Sequence, residues 1–243
     1  MSLEQLTERI GEHPALNNPF YESWMDRRFD IGELEVFARN YGEWVKSFPD
    51  TLAVLFFSTS DLNAKTEYVN TLYSEMGYGN HEKVHWRLLD TFFQNLSSKL
   101  GYDGQLDRAR LEKEIGLLPS TSELVEGERR LYGDESREVA VGAQMALEWQ
   151  AYTMLRKIYE GARNYRELWK NQDEFHETCE YFYAHIGEAE KKHKKESLNA
   201  ARQYSTDEKS LTEITRGYSD HLDLITAFWN GVHEQLTKSK GGE

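Results

Sequence analysis

Residues 185–193 read His-Ile-Gly-Glu-Ala-Glu-Lys-Lys-His, which brings two histidines and two glutamates close together in the chain. Neutral imidazole nitrogen and carboxylate oxygen are the side-chain donors that bind divalent iron, manganese and zinc. Glu190 and His193 stand three residues apart, so on a helix they share a face. Alone, this spacing is more readily a solvated charged face, since the chain holds 42 acidic residues and 8 histidines.

His185 changes the balance. It follows Tyr181-Phe182-Tyr183-Ala184, an apolar aromatic run that places it on a buried face. On a regular helix His193 lies about 80° round from His185, and Glu190 about 140°. One π-bulge between His185 and Glu190 removes about 100°, bringing Glu190 near 40° and His193 near -20°. Gly187 is where such a helix yields. With no bulge, Glu188 is the better neighbour of His185.

Two other stretches supply partners. Glu75 and His85 flank Gly77-Tyr-Gly79, a segment that lets the backbone turn between two helices. Glu148 lies among Met145, Ala146, Leu147 and Trp149, so it is expected to be buried, and a buried carboxylate needs a cation, a donor or a proton. The plainer readings are a salt bridge for Glu148 and a surface position at a helix start for His85. Taken together, three carboxylates and three histidines suit a dinuclear iron or manganese centre in a helical bundle better than zinc.

These residues need helices to hold them, and the pattern supplies helices nearly everywhere. Phe20, Trp24 and Phe29 open a short one. Asp30 caps the next, carrying Leu34, Phe37, Tyr41, Trp44, Val45 and Phe48, with a kink at Pro49 and a buried continuation. Asp61 caps a helix through Tyr73, and Val84 to Leu96 forms another. Residues 101–120 read as a connection with a short helix. Ser136 to Trp169 and Asp173 to about Tyr204 read as two long helices, and Thr206 or Asp207 caps the last. No alternating strand pattern, internal repeat or flexible internal linker interrupts this. The expectation is an all-α bundle of about seven to eight helices forming one domain over residues 1–243, with a short disordered tail from about residue 238.

Composition bounds the function. The net charge of -13 argues against a nucleic-acid partner. The single cysteine, Cys179, forms no internal disulfide, so a reducing, cytoplasmic location is expected. No apolar run has the length of a membrane span, and the charged N-terminus lacks a signal-peptide core.

Over most of its length the sequence resembles the heme-oxygenase-like di-iron oxidases and oxygenases, in particular the group around the chlamydial protein associating with death domains. The resemblance is carried by EHPALNNPFYESWMDRRFDIGELEVFARNYGEWVKSFP, LYSEMGYGNHEKVHWRLLDTF, GAQMALEWQAY and YFYAHIGEAEKKHKKESL. It implies a fold shared with TenA-like hydrolases and pyrroloquinoline-quinone synthase, with Glu75, His85, Glu148, His185, Glu190 and His193 as metal ligands. It implies two iron ions or a manganese/iron pair, no heme, and oxidation of a small substrate with O2. The substrate would be fatty-acid-like, an amino acid or an aromatic precursor, and the assembly a homodimer. The family spaces its last helix His-x3-Asp/Glu-x2-His, one residue shorter than here between His185 and Glu190. Some members use a protein tyrosine and lysine, a role for which Tyr41, Tyr152 and Lys157 are the candidates here; core packing is their plainer reading. Tyr41, Trp44, Tyr152 and Phe182 are expected to line the pocket.

Other functions were weighed. A true heme oxygenase needs an axial histidine on a suitable helix, and His13 precedes Pro14. A TenA-like hydrolase needs a nucleophilic cysteine, and Cys179 lies about 120° from the His185 face. A cofactor-free oxidase shares the fold without needing the ligand set. A non-enzymatic interaction protein would show these side chains exposed or salt-bridged.

Overall fold

The computed structural model describes residues 2–186 and 188–238, with side chains described except at 188–193. The tail expected from about residue 238 falls almost wholly outside that range.

The chain is all helical among the described residues. It runs α1 Leu3–Arg9, α2 Pro19–Asp26, α3 Ile31–Ser58, α4 Leu62–Glu75, α5 His85–Lys99, α6 Arg108–Glu114, α7 Pro119–Tyr132, α8 Arg137–Ala162, α9 Gln172–Thr178, α10 Glu180–His185, α11 Glu188–Tyr204 and α12 Glu208–Lys238. Short 3₁₀ turns cover Gly77–Gly79, His81–Lys83 and Arg163–Leu168. Twelve α-helices replace the seven or eight expected. Two were unread. α1 is opened by a capping box in which Ser2 and Gln5 exchange hydrogen bonds. α7 hides a buried Glu128 and Gly127 in a polar stretch.

The helix expected from Asp173 to Tyr204 is three pieces. Its first break is at Cys179 and its second follows His185, where Ile186 leaves the helical region at φ -106°, ψ 52°. Gly187, where a π-bulge was expected, lies outside the described residues. Ser136 to Trp169 likewise ends early as an α-helix, at Ala162.

Local chemistry explains the boundaries that the sequence did announce. Asp30 accepts from the Glu33 amide while the Glu33 carboxylate accepts from the Asp30 amide, starting α3. α3 continues through Pro49, which has no N–H to give the Val45 carbonyl. Asp61 accepts from the Ala64 amide at the head of α4. Asp207 accepts from the Ser210 amide at the head of α12.

Bulky aromatic rings fill the centre. Trp229 of α12 stacks on Phe20 of α2 at 4.5 Å, and Trp24 lies 5.0 Å from Phe37 of α3. The Trp24 indole N–H donates to the Ile158 carbonyl, joining α2 to α8. α8 and α12 cross with backbones in contact. A Cβ at Gly142 would lie 2.0 Å from the Ile214 oxygen, and one at Gly217 2.0 Å from the Val139 oxygen, so both positions need glycine. No helix among the described residues is long and apolar enough to cross a membrane.

Candidate metal centre

Glu75 is the last residue of α4 and His85 the first of α5. Between them the backbone takes a left-handed course at Gly77 (φ 66°), Tyr78 (φ 54°) and Gly79 (φ 84°). A Cβ at Gly77 would meet the Lys83 carbonyl carbon at 2.5 Å. This tight reversal returns α5 alongside the end of α4, and both functional side chains enter the interior.

There Glu75 stands between two imidazoles. Its Oε2 lies 2.9 Å from His85 Nδ1, and its Oε1 lies 3.6 Å from His185 Nε2. The two imidazole rings are 4.3 Å apart and inclined at 68°. All three ligand atoms fall within 4.8 Å of one another, a grouping of metal-binding type. Glu75 and His85 are buried.

The donor directions fit a shared cation. His185 Nδ1 faces the Tyr181 carbonyl oxygen at 2.7 Å. A carbonyl only accepts, so Nδ1 carries the proton, and in the neutral ring Nε2 presents its lone pair toward Glu75. His85 Nδ1 is buried without a hydrogen-bond partner, because the nearby Glu75 oxygen lies off the line such a bond requires. One carboxylate and two imidazoles brought this close are a donor set that could hold a common ion. Burial pushes the Glu75 carboxyl up, but His185 and then His85 more than reverse this and hold it down at about 2. That lowering needs protons on the imidazoles facing Glu75, and a cation bound there would take the place of those protons.

Glu148 is buried on α8 and borders the same cavity, as expected, and Gln144 Nε2 donates to its Oε1 at 2.7 Å. The side chains of Glu188, Glu190 and His193 lie outside the described residues, as does Gly187. Tyr41 is buried, and its hydroxyl is 2.7 Å from that of Tyr181, whose ring lies 4.7 Å from the His185 ring. Tyr152 is half-buried on α8 with the Lys194 ammonium 5.3 Å above its ring. Lys157 donates to the Leu16 carbonyl and to Asn17 Oδ1, away from the cavity. Neither Tyr152 nor Lys157 lines the cavity.

That cavity, of about 110 Å³, runs from Glu75, His85 and His185 between α3, α4, α8 and α10. Tyr41 and Trp44 line it as expected. Phe182, also expected there, instead packs on Phe92 at 5.1 Å, because α10 turns that face toward α5. Tyr181 and Gln150, which line the cavity, and Gln144, which donates to Glu148, escaped the sequence reading. The i,i+4 spacing of Gln144 and Glu148 was a readable signal for one of them.

Two of the other functions lose ground. Cys179 is buried, and burial pushes its thiol up to about 12, so it is not the thiolate a nucleophile must be. His13 accepts from the Ala15 amide through Nδ1 in the N-terminal turn, as a capping side chain.

Comparison with known proteins agrees with this geometry. A family described as iron-containing redox enzymes matches residues 35–225. The chain is 24% identical over 233 residues to 4-chloro-allylglycine synthase of Streptantibioticus cattleyicolor, covering 96% of this chain and 82% of that protein. It is 28% identical over 86 residues to 4-aminobenzoate synthase of Chlamydia pneumoniae, covering 35% of this chain and 38% of that protein. Among solved structures, a CADD-like protein of unknown function from Nostoc punctiforme superposes with a TM-score of 0.72 at 17% identity, over 96% of this chain and 95% of that one. A Shewanella denitrificans domain with a heme oxygenase-like fold gives 0.70 at 14% identity, over 99% and 94%. With a heme-oxygenase-like bundle, a Glu/His cluster opening on a cavity and a family match across most of its length, this chain belongs to the iron-containing redox enzymes.

Proposed function

We propose that this oxidoreductase holds two iron ions, or a manganese/iron pair, and uses O2 to oxidise a small organic molecule seated in the adjoining cavity. The observation that carries the reading is Glu75 wedged between His85 and His185, with imidazole and carboxylate lone pairs converging. Glu75, His85 and His185 would hold metal on one side. Glu148, with Glu190 and His193 from α11, would complete the pair. Bound iron supplies the O2 binding and redox capacity that protein side chains lack.

The residues of this chain have separate tasks. The Tyr181 carbonyl keeps His185 in one tautomer, and Gln144 orients Glu148. Val45, Phe48, Met154 and Leu155 give the cavity apolar walls, which favour an apolar substrate body over water. The paired hydroxyls of Tyr41 and Tyr181, with the Tyr181 ring 4.7 Å from that of His185, offer a proton or an oxidisable ring.

A cavity of about 110 Å³ favours a compact substrate over a long acyl chain. The names of the two curated relatives support an amino acid or an aromatic precursor. Metal analysis of protein expressed with added iron tests the reading, together with visible spectra after anaerobic ferrous loading and O2 exposure. About two irons per chain and an O2-dependent spectral change are expected. No bound iron and an unchanged spectrum would move the weight to a cofactor-free oxidase.

A further inference from the structure

Gln150 of α8 lines the cavity, is wholly buried, and has both Nε2 and Oε1 without a hydrogen-bond partner. Buried polar atoms are nearly always paired, because leaving them bare forfeits their hydration. A hydrogen-bonding group that enters the cavity would complete this carboxamide.

Its place on the helix says which end of the cavity it serves. With Ala151 as the midline of the cavity-facing stripe of α8, Glu148 lies about 60° to one side and Gln150 about 100° to the other. Gln150 is therefore on the flank of α8 opposite Glu148, on the side of Met154. Trp44 does not supply the partner. Its indole N–H is engaged by both Glu128 oxygens, each at 3.1 Å.

The charge pattern narrows the ligand. Among the described residues no Lys or Arg lines the cavity, and the titratable acids and imidazoles there, Glu75, Glu148, His85 and His185, belong to the metal side. A carboxylate next to Gln150 would find no cation and would leave Oε1 facing negative charge. An ammonium would leave Nε2 bare. A neutral group with both a donor and an acceptor satisfies both atoms.

We infer that Gln150 is the substrate's polar anchor, taking an amide or hydroxyl carried on a compact apolar body whose other end reaches Glu75, His85 and His185. This deepens, and rests on, the reading of the cavity as the substrate chamber.

Calorimetric titration of the iron-loaded full chain under anaerobic conditions tests it, with benzamide, benzyl alcohol and toluene as probes. Benzamide and benzyl alcohol are expected to bind roughly tenfold more tightly than toluene. Gln150→Met, similar in volume and without the amide, should bring them down to the toluene level and leave toluene unchanged. Gln150→Glu should weaken benzamide while strengthening benzylamine, and it serves if the Met variant does not fold. Equal binding of toluene and benzamide to the unaltered protein overturns the assignment, as does no benzamide binding or an undiminished benzamide affinity in Gln150→Met. Iron measured on the same samples separates the two readings. Little iron with the benzamide preference intact overturns the metal centre and leaves the anchor. Full iron with no preference overturns the anchor alone.

Discussion

Glu75 has two close imidazoles, and the geometry around each differs. His185 is oriented through its far nitrogen by a backbone carbonyl, whereas His85 relies on its position at the head of α5. Replacing either histidine with alanine should lower bound iron sharply, read by metal analysis of the purified variants. Unchanged iron in both would remove the site. A second buried polar group behaves differently. Glu128 is fully buried beside His221, whose Nε2 is 3.9 Å from its Oε1, with the Tyr132 ring stacked parallel to the imidazole and Trp44 donating from α3. Burial pushes the Glu128 carboxyl up to about 8 and the His221 imidazole down to about 3. Both are therefore neutral near pH 7. Unfolding lets Glu128 ionise at its ordinary value, so between about pH 4.5 and 8 the native state binds the extra proton and stability falls as pH rises. Glu128→Gln should flatten that fall in denaturant titrations run at pH 5 to 8. His221 acts in the opposite sense, costing stability as pH falls from its ordinary range toward 3.

At the scale of elements, the site depends on a reversal of direction rather than on any single helix. Gly77 takes a left-handed φ of 66° against the Lys83 backbone, so alanine there costs roughly 1–2 kcal/mol in conformation alone, before the clash is relieved. Gly77→Ala should keep its helical circular dichroism yet lose iron, because relieving the clash moves Glu75 relative to His85. Retention of full iron would show that the turn tolerates a side chain. The crossing of α8 and α12 is a stricter requirement. A methyl at Gly142 would sit 2.0 Å from a backbone oxygen that has no flexible end to move aside, so Gly142→Ala should lower the melting temperature markedly even though Gly142 does not line the cavity.

For the whole molecule, metal and stability are linked. The candidate centre gathers Glu75, His85 and His185 from the ends of α4, α5 and α10, so an ion bound there would fasten elements far apart in sequence. A ligand that binds only the folded state stabilises it by about 2.7 kcal/mol at a hundred times its dissociation constant. Ferrous iron should therefore raise the melting temperature of the intact chain under anaerobic conditions and leave that of His185→Ala nearly unmoved. An equal rise in both would place the bound iron elsewhere.

The all-helical class and several helix starts were written locally. Asp30, Asp61 and Asp207 each precede an amphipathic run and cap it through an adjacent amide, an interaction that needs no distant partner. The residue types of the site, and the nearness of Glu75 to His85 across a glycine turn, were legible for the same reason. What the chain did not announce depends on contacts between distant segments. α7 escaped notice because its buried face includes Glu128, which tolerates burial only where Trp44 can donate to it. The end of α10 at His185 was not announced either, since a helical period specifies a face only while the helix continues. Gln150 looked like any glutamine. Only the packing of α3, α8 and α10 around a cavity left its carboxamide buried and unpaired, because burial belongs to the tertiary structure and not to the residue.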